Sequence, residues 1–313
     1  MGWIVTVTPN PAVDKTLLIP FPRLERVVRV LQAWEYPSGK GVNVARVLHR
    51  RGFPVVCLGF VGGPTGEKLI HLLKQEGLHH DFTLIEGETR VSITIRDPES
   101  QLESHLVEPG PVVREKEKKQ FLDCLEQHLE NARLVALCGS LPPGLEPDFY
   151  QKLVKLAQSK KVPVALDSSG DALKQGLLSQ PDIIKPNRQE LSELVGSILT
   201  TDEEVSRALI GLTRRGIRWA TASLGRDGII GTDGDQSWKA VPPLVTSVNT
   251  IGSGDAALAG IIEGWLKGQT ITDALRLAAT FGTANALIDG PGYLEEKHIK
   301  EVDSLVQLTP LTL

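Results

Sequence analysis

Residues 249–260 read N-T-I-G-S-G-D-A-A-L-A-G, three small residues followed by a carboxylate at the mouth of an apolar helix. A turn explains Gly252 and Gly254, and a helix cap explains Asp255, but neither explains both together with the Asn249-Thr250 lead-in. Beyond Asp255 the run AALAGIIEGWL is apolar and rich in small residues, which suits a helix packed tightly into the body of the protein. Gly252, Ser253 and Gly254 would then place several backbone N–H groups at the first helical turn. There the macrodipole contributes roughly half a positive charge, and the amides can wrap an anion. An acid beside such an anion hole accepts a proton from a hydroxyl while the hole stabilises charge forming on the group attacked. The pairing points to transfer of a phosphoryl group to a sugar hydroxyl, with Asp255 as a plain cap the alternative.

Outward from this stretch, short β-branched runs alternate with helical patterns. WIVTVTP, VVCLGFVG, LVALCGS, VPVALDSS, DIIKPN, WATASLG and GIIGTDG read as strands. Residues 42–51, 65–77, 115–131, 148–160, 189–195, 202–215 and 255–266 read as helices. Such alternation implies an α/β fold, with a mostly parallel central sheet, right-handed crossovers and helices on both faces. Two insertions, at about 15–36 and 89–108, break the rhythm with several extended patterns and no helix. VSITIRDPESQLESHLVEP reads as a hairpin turning at residues 97–101. The insertions are expected to form a small antiparallel β lid on one domain spanning residues 1–313, with an irregular surface loop the alternative.

Glycine turns follow several strands, at Gly62, Gly63 and Gly66, at Gly139-Ser140, at Gly225 and Gly228, and at Gly252 and Gly254. The carboxyl ends of parallel strands open on one edge of a sheet, so the chemistry is expected there. A second cluster, Ser38-Gly39-Lys40-Gly41-Val42-Asn43, leads into a helix with one lysine and one asparagine, and lacks the spacer and the GK[ST] ending of a Walker A loop.

The formal net charge of -4 gives no global pull toward nucleic acid or membranes, so an anionic ligand would need a local cationic pocket. The three cysteines include no CxxC pair; Cys57 and Cys138 lie in apolar runs and read as core residues of a reducing compartment. The run KEKK at residues 116–119 reads as a solvated helix face, and His79-His80 as a solvated pair at a helix exit. The opening MGWIVTVTPNPAVD does not read as a signal peptide, and no apolar run approaches ~18 residues, so the expected location is cytoplasmic.

SGKGVNVA with Gly52 and Gly62 behind it, together with NTIGSGDAALAGII, resembles the two signatures of the ribokinase-like (PfkB) carbohydrate kinases. The resemblance covers nearly the whole chain, because TPNPAVD, GETR, GSLPPG, DSSG, KPNRQE and SLGRDG match in order. Within the family the combination is most similar to the phosphosugar branch, which holds the 1-phosphofructokinases, the tagatose-6-phosphate kinases and the minor 6-phosphofructokinases. The resemblance implies a ribokinase-like fold and ATP-dependent phosphorylation of a phosphorylated ketohexose, first among them fructose 1-phosphate to fructose 1,6-bisphosphate. Tagatose 6-phosphate, fructose 6-phosphate or an unphosphorylated sugar are alternative acceptors, and a non-catalytic sugar sensor on the same fold is an alternative from another class.

Site roles follow from the resemblance. It implies Asp255 as the base, with Gly252, Ser253 and Gly254 as the anion hole. Asp14, Gly39 and Asn43 would hold sugar hydroxyls, and Lys40, Arg90 and Ser140 the phosphate already on the substrate. Lys185, Asn187, Ser223, Gly225 and Gly228 would line the nucleotide side, with Asn285 near the adenine. Asn187 and Glu190 would position magnesium through water, and a potassium ion near the GSGD turn is a family habit. The lid would pair with its twin in a homodimer.

Most of these residues also have bland readings. NRQE has the spacing of a capping box. Asp14 suits a turn, Ser140 a turn hydroxyl, and Arg90 a surface charge, although a guanidinium also suits a bidentate grip on phosphate. Three departures from the family pattern stand out: Ser38 replaces glycine or alanine before Gly39, Ser253 replaces the commoner alanine of GAGD, and His105 stands where minor 6-phosphofructokinases carry an arginine. The last leans toward 1-phosphofructokinase.

Overall fold

A computed structural model describes residues 2–20, 27–100 and 103–311. The chain opens with β1 (Trp3–Thr8), the hairpin of β2 (Ala12–Leu18) and β3 (Gln32–Ser38), then α1 (Lys40–Arg50), β4 (Val55–Val61) and α2 (Gly63–Gln75). Two short strands, β5 (His79–His80) and β6 (Thr83–Leu84), precede a second hairpin of β7 (Arg90–Arg96) and β8 (Glu103–Val107). Next come α3 (Glu115–Leu129), β9 (Ala132–Cys138), α4 (Phe149–Ser159), β10 (Val164–Asp167), α5 (Gly170–Leu177), β11 (Ile183–Ile184) and α6 (Arg188–Val195). The last third holds α7 (Asp202–Thr213), β12 (Trp219–Ser223), β13 (Ile229–Thr232), β14 (Ser237–Val241), α8 (Ser253–Leu266), α9 (Ile271–Ala286), α10 (Glu296–Asp303) and β15 (Gln307–Leu311).

The main sheet runs β15-β14-β13-β12-β11-β10-β9-β1-β4-β5, with β6 also on β4. From β12 across to β5 every pairing is parallel, as the alternation of strands and helices requires. Each parallel strand is covered on both faces, which explains why β4 is buried at all seven positions and reads as an unbroken apolar run. Ile4 of β1 packs in the layer of α1, α8 and α9, whereas Val5 and Val7 pack with Phe121 of α3 and Phe149 of α4.

The β12–β15 edge is antiparallel. The GRDG turn causes this, because Gly225 and Gly228 take φ of 62° and 98° and return the chain alongside β12. A Cβ at Gly228 would lie 2.0 Å from the Ala240 carbonyl oxygen, so only glycine fits there. The helix α9 escapes the pattern reading, since its many small residues leave no sharp polar face. It packs on α8 where Gly260 and Gly264 admit close approach; a Cβ on Gly260 would meet Ala278 N at 2.7 Å. Among the described helices none is long and apolar enough to cross a membrane.

The lid corrects one expectation. Its sheet, ordered β3-β2-β7-β8, is antiparallel within each hairpin, but the two hairpins join through a parallel pair, β2 with β7. Both insertions leave the body in the same direction, so their first strands run side by side. The lid strands also reach back to Ala12 and forward to Ser38, beyond the expected limits of the first insertion. Residues 21–26 of that insertion, and residue 101 of the expected turn, lie outside the described residues. Arg96 ties lid to body through an ion pair with Asp289 at 2.6 Å, and Tyr36 meets Tyr293 edge-on.

Two smaller expectations also change. Lys118 is buried and paired with Glu115 and Glu146, so only its neighbours Lys116 and Lys119 face solvent. His79-His80 form an edge strand on β4, with His79 against the Trp3 ring. Cys57 and Cys138 are buried free thiols in the core.

Candidate active site

The sheet order reverses around β1, which has β4 on one side and β9 on the other. Crevices at such a switch, outside the carboxyl ends of the strands, are where open α/β sheets bind ligands. Two helix starts converge there. Gly39 precedes α1 with φ 125°, and a Cβ on it would strike Thr8 Cγ2 at 2.6 Å. Gly252 caps α8 in the left-handed conformation, φ 81°, with Gly292 N only 2.8 Å from where its Cβ would be. The first-turn amides of α8 have no intrahelical acceptor and carry the positive end of its dipole.

Asp255 sits in that first turn, buried to 7% exposure. The Asn43 Nδ2 donates to its Oδ2 at 2.7 Å. Burial pushes the carboxyl up to about 6; the Asp167 carboxylate adds to this, while Lys40, the Asn43 hydrogen bond and Lys185 oppose it. The orientation of Asn43 is itself imposed, because Arg46 Nη1 donates to its Oδ1 at 3.0 Å. Arg46 is buried, and it also donates to the carbonyls of Pro37 and Pro291 and to Glu76 Oε2. One guanidinium thus ties α1, the end of a lid strand and the loop after α9 to the carboxamide that faces Asp255.

Next to Asp255 lies a charge triad around the buried Asp167, in which Lys185 is buried and Lys40 part-exposed. Asp167, at the end of β10, accepts from Lys40 Nζ at 2.8 Å and pairs with Lys185 Nζ at 2.9 Å. Burial alone would push Asp167 up, yet the Lys185 and Lys40 ammoniums hold it below the usual carboxylate range. Lys40 in turn is raised, chiefly by Asp167. A Cβ on Gly254 would lie 3.7 Å from Lys185 Nζ, so the ammonium borders the α8 turn. Lys40, expected with Arg90 on the substrate phosphate, here turns its ammonium to Asp167 and feels Asp255 and Glu190.

The remaining polar residues form a second group under the lid. Arg90 donates from Nη2 to the Asn10 carbonyl at 3.0 Å, and Asn10 Nδ2 donates to Ser140 Oγ at 3.2 Å. Burial raises Asp14, opposed by hydrogen bonds from Ser38 and Ser92 and by the Arg90 charge. The hydroxymethyl of Ser38 therefore lies close enough to Asp14 to favour its charged form. A cavity of about 400 Å³ opens beside Arg90, with Glu88, Glu108 and Arg114 in its wall. His105, on the exposed face of β8, lies 3.2 Å from Thr94 Oγ1 across the hairpin.

On the other side of α8 lies a cavity of about 590 Å³, a size typical of small-molecule sites. Ser223, Gly225 and Gly228 line one wall, Ser253 and Gly254 another, and Pro242 to Val245 the rim. The α9 residues Ala278, Ala279, Gly282 and Thr283 complete it, a face that the sequence reading did not find. Asn285, expected near the adenine, is fully buried and spends its amide on the loop, giving Nδ2 to Ile251 O and Ser253 Oγ and accepting from Gly292 N. It supports the anion turn, and Ser253 keeps the turn pinned through its hydroxyl. Asn187 and Glu190 form a complete capping box on α6, with Asn187 bridged to Ser223. Glu190 is close enough to Lys40 to raise it.

The chain that carries this buried acid, the larger cavity beside the α8 turn and the four-stranded lid matches known proteins. The profile of pfkB family carbohydrate kinases matches residues 7–297. The chain belongs to the pfkB family of carbohydrate kinases. Among solved structures, Escherichia coli phosphofructokinase-2 in complex with substrates and products is 28% identical, with a TM-score of 0.90 over 96% of this chain and 98% of that one. The same protein in complex with potassium is 28% identical, with a TM-score of 0.90 over 97% of this chain and 99% of that one. A Thermotoga maritima protein described as a possible 1-phosphofructokinase is 25% identical, with a TM-score of 0.91 over 99% of this chain and all of that one. As a pfkB kinase, the protein is an ATP-dependent enzyme acting on a sugar or phosphosugar.

Besides that α9 face, the motifs alone did not single out Asp167 and Arg46. Asp167 left a signal, an acid closing the apolar strand VPVALD. Arg46 left none, since its partners lie in separate elements.

Proposed function

We propose that this kinase is a magnesium-dependent phosphosugar kinase whose preferred acceptor is fructose 1-phosphate, converted to fructose 1,6-bisphosphate. The observation that carries this reading is Arg90 with Asn10 and Ser140 under the lid, a separate cationic group from the Lys40–Asp167–Lys185 triad. A protein of net charge -4 that places cations in two neighbouring pockets is built for two anionic groups, one at rest and one in transfer.

In this reading the acceptor lies between lid and body, with Asp14, Gly39 and Asn43 on its hydroxyls and Arg90 and Ser140 on its phosphate. Asp255 takes the proton of the attacking hydroxyl, and the oxygen bonds to the γ-phosphorus as the bond to the β-phosphate oxygen breaks. The α8 amides of residues 252–254, with Lys40 and Lys185, neutralise charge on the transferring group, which is most of what phosphoryl transfer asks of a protein. Keeping the lid shut excludes water as a competing acceptor. The nucleotide occupies the larger cavity, its base among the small residues of α9 and its phosphates toward Ser223, Gly225, Gly228 and Lys185. Asn187 and Glu190 offer hard oxygen ligands that suit magnesium held through water, and Glu190 fits that place because it feels Lys40 although one of its oxygens serves the cap. Magnesium there would neutralise the triphosphate. A potassium ion beside the residue 249–254 turn, a homodimer burying the exposed Leu106 and Val107 of the lid, and a cytoplasmic setting belong to the same reading.

Coupled ADP release measured with fructose 1-phosphate, fructose 6-phosphate, tagatose 6-phosphate, fructose and ribose tests it. The expected order places fructose 1-phosphate first in kcat/KM; a plain sugar in that place would end the phosphosugar reading. Arg90→Ala is expected to raise KM for phosphorylated acceptors by about 10- to 100-fold, the worth of one charge-assisted contact, and to leave plain sugars nearly unchanged. Equal losses on both classes would remove Arg90 from the phosphate.

A further inference from the structure

Away from the kinase site, α3 presents Cys124 and His128 four residues apart, on the same helical face. Asp81, just after β5, meets both. Its Oδ2 lies 2.9 Å from His128 Nε2 and 3.4 Å from Cys124 Sγ. The three atoms lie within 4.8 Å of one another. Asp81 is held in place by its own backbone, whose amide donates to the Cys57 carbonyl at 2.9 Å on the neighbouring β4.

We propose that Asp81, Cys124 and His128 form a binding site for a divalent cation of the zinc class. Ligand atoms around tetrahedral zinc, at bond lengths of about 2.0–2.3 Å, sit roughly 3.3–3.8 Å apart. The Cys124–Asp81 separation already falls in that range, the His128–Asp81 pair needs a slight opening, and the third separation is within 4.8 Å. One sulfur, one imidazole nitrogen and one carboxylate oxygen select zinc or cobalt over magnesium and calcium, which prefer oxygen alone. The geometry does not suit a cysteine nucleophile, because His128 bonds to Asp81 and not to the thiol. Asp81 is 60% exposed on its side chain, which leaves water room to take the fourth position. On binding, the Cys124 S–H bond is replaced by a sulfur–metal bond and the proton leaves to solvent, with no change of oxidation state. The metal would staple α3 to the sheet edge after β5, so its role is to hold those elements together.

Metal-free full-length protein titrated with cobalt(II) provides the test. A near-ultraviolet sulfur-to-cobalt absorption is expected to saturate at one equivalent, to be bleached by zinc and to be absent in Cys124→Ser. Cys57 and Cys138 are buried and leave Cys124 as the accessible thiol. Zinc is expected to raise the thermal midpoint of the wild type and not that of His128→Gln or Cys124→Ser, while kinase activity stays the same in both variants. Cobalt binding without the absorption, an absorption that survives in Cys124→Ser, or no binding at all would each overturn the site.

Discussion

Asp255→Asn is expected to lower kcat by about 10²- to 10⁴-fold, the usual worth of a positioned general base, while sugar and nucleotide still bind. The amide keeps the volume of the acid and still accepts from Asn43 Nδ2, so the α8 turn stays intact. What is lost is the ability to take a proton. In the wild type, kcat should rise with pH as the carboxyl, pushed up to about 6 by burial, ionises. That rise should be missing from the variant. Stability supplies an independent sign. A folded value above the ordinary carboxylate value of 3.8 means that the native state binds more protons between the two, so ionisation costs the fold about 3 kcal/mol once pH exceeds the folded value. The penalty is absent below pH ~4. Asparagine carries no charge at either end, and the variant should therefore melt higher than wild type at pH 8 and at the same temperature at pH 4. Binding calorimetry with sugar and nucleotide, ADP release and a melting series across pH measure all of this; wild-type turnover in the variant would remove Asp255 from the chemistry.

Asp167→Asn is expected to cost about 3–5 kcal/mol of stability, because it leaves the buried Lys185 ammonium without its counter-charge, while the part-exposed Lys40 can turn to water. The acid is 1% exposed and Lys185 is 4% exposed, so water cannot take its place. The sign with pH is opposite to that of Asp255. Asp167 is held below the ordinary value, so its stabilisation is present above that value and fades as pH falls through the folded one. Urea unfolding at pH 7.5 should move the midpoint down with an unchanged slope, and the gap from wild type should narrow in acid. A loss under about 1 kcal/mol would mean that the lysines are solvated and do not depend on the pair.

These two acids mark what was legible in the chain. Asp255 announced itself locally, since glycines on both sides of Ser253 and an apolar helix behind it make sense only as a backbone turn built for close approach. Asp167 did not, although it lies in the quoted DSSG, because its meaning rests on lysines 127 residues before it and 18 after it in the chain. The same holds for Asn43, whose orientation depends on Arg46 and whose partner Asp255 lies 212 residues away.

The sequence by itself determined the α/β class, the parallel core strands, the glycine turns at strand ends and the position of the acid, because strand and helix periodicities and glycine's backbone freedom are written residue by residue. Tertiary structure alone decided the parallel join of the two lid hairpins, the turning of Lys40 to Asp167 and the withdrawal of Asn285 beneath the loop. Each of those depends on which distant elements share a boundary. A buried charge or amide must find its partner there, and no local pattern says where that partner will come from.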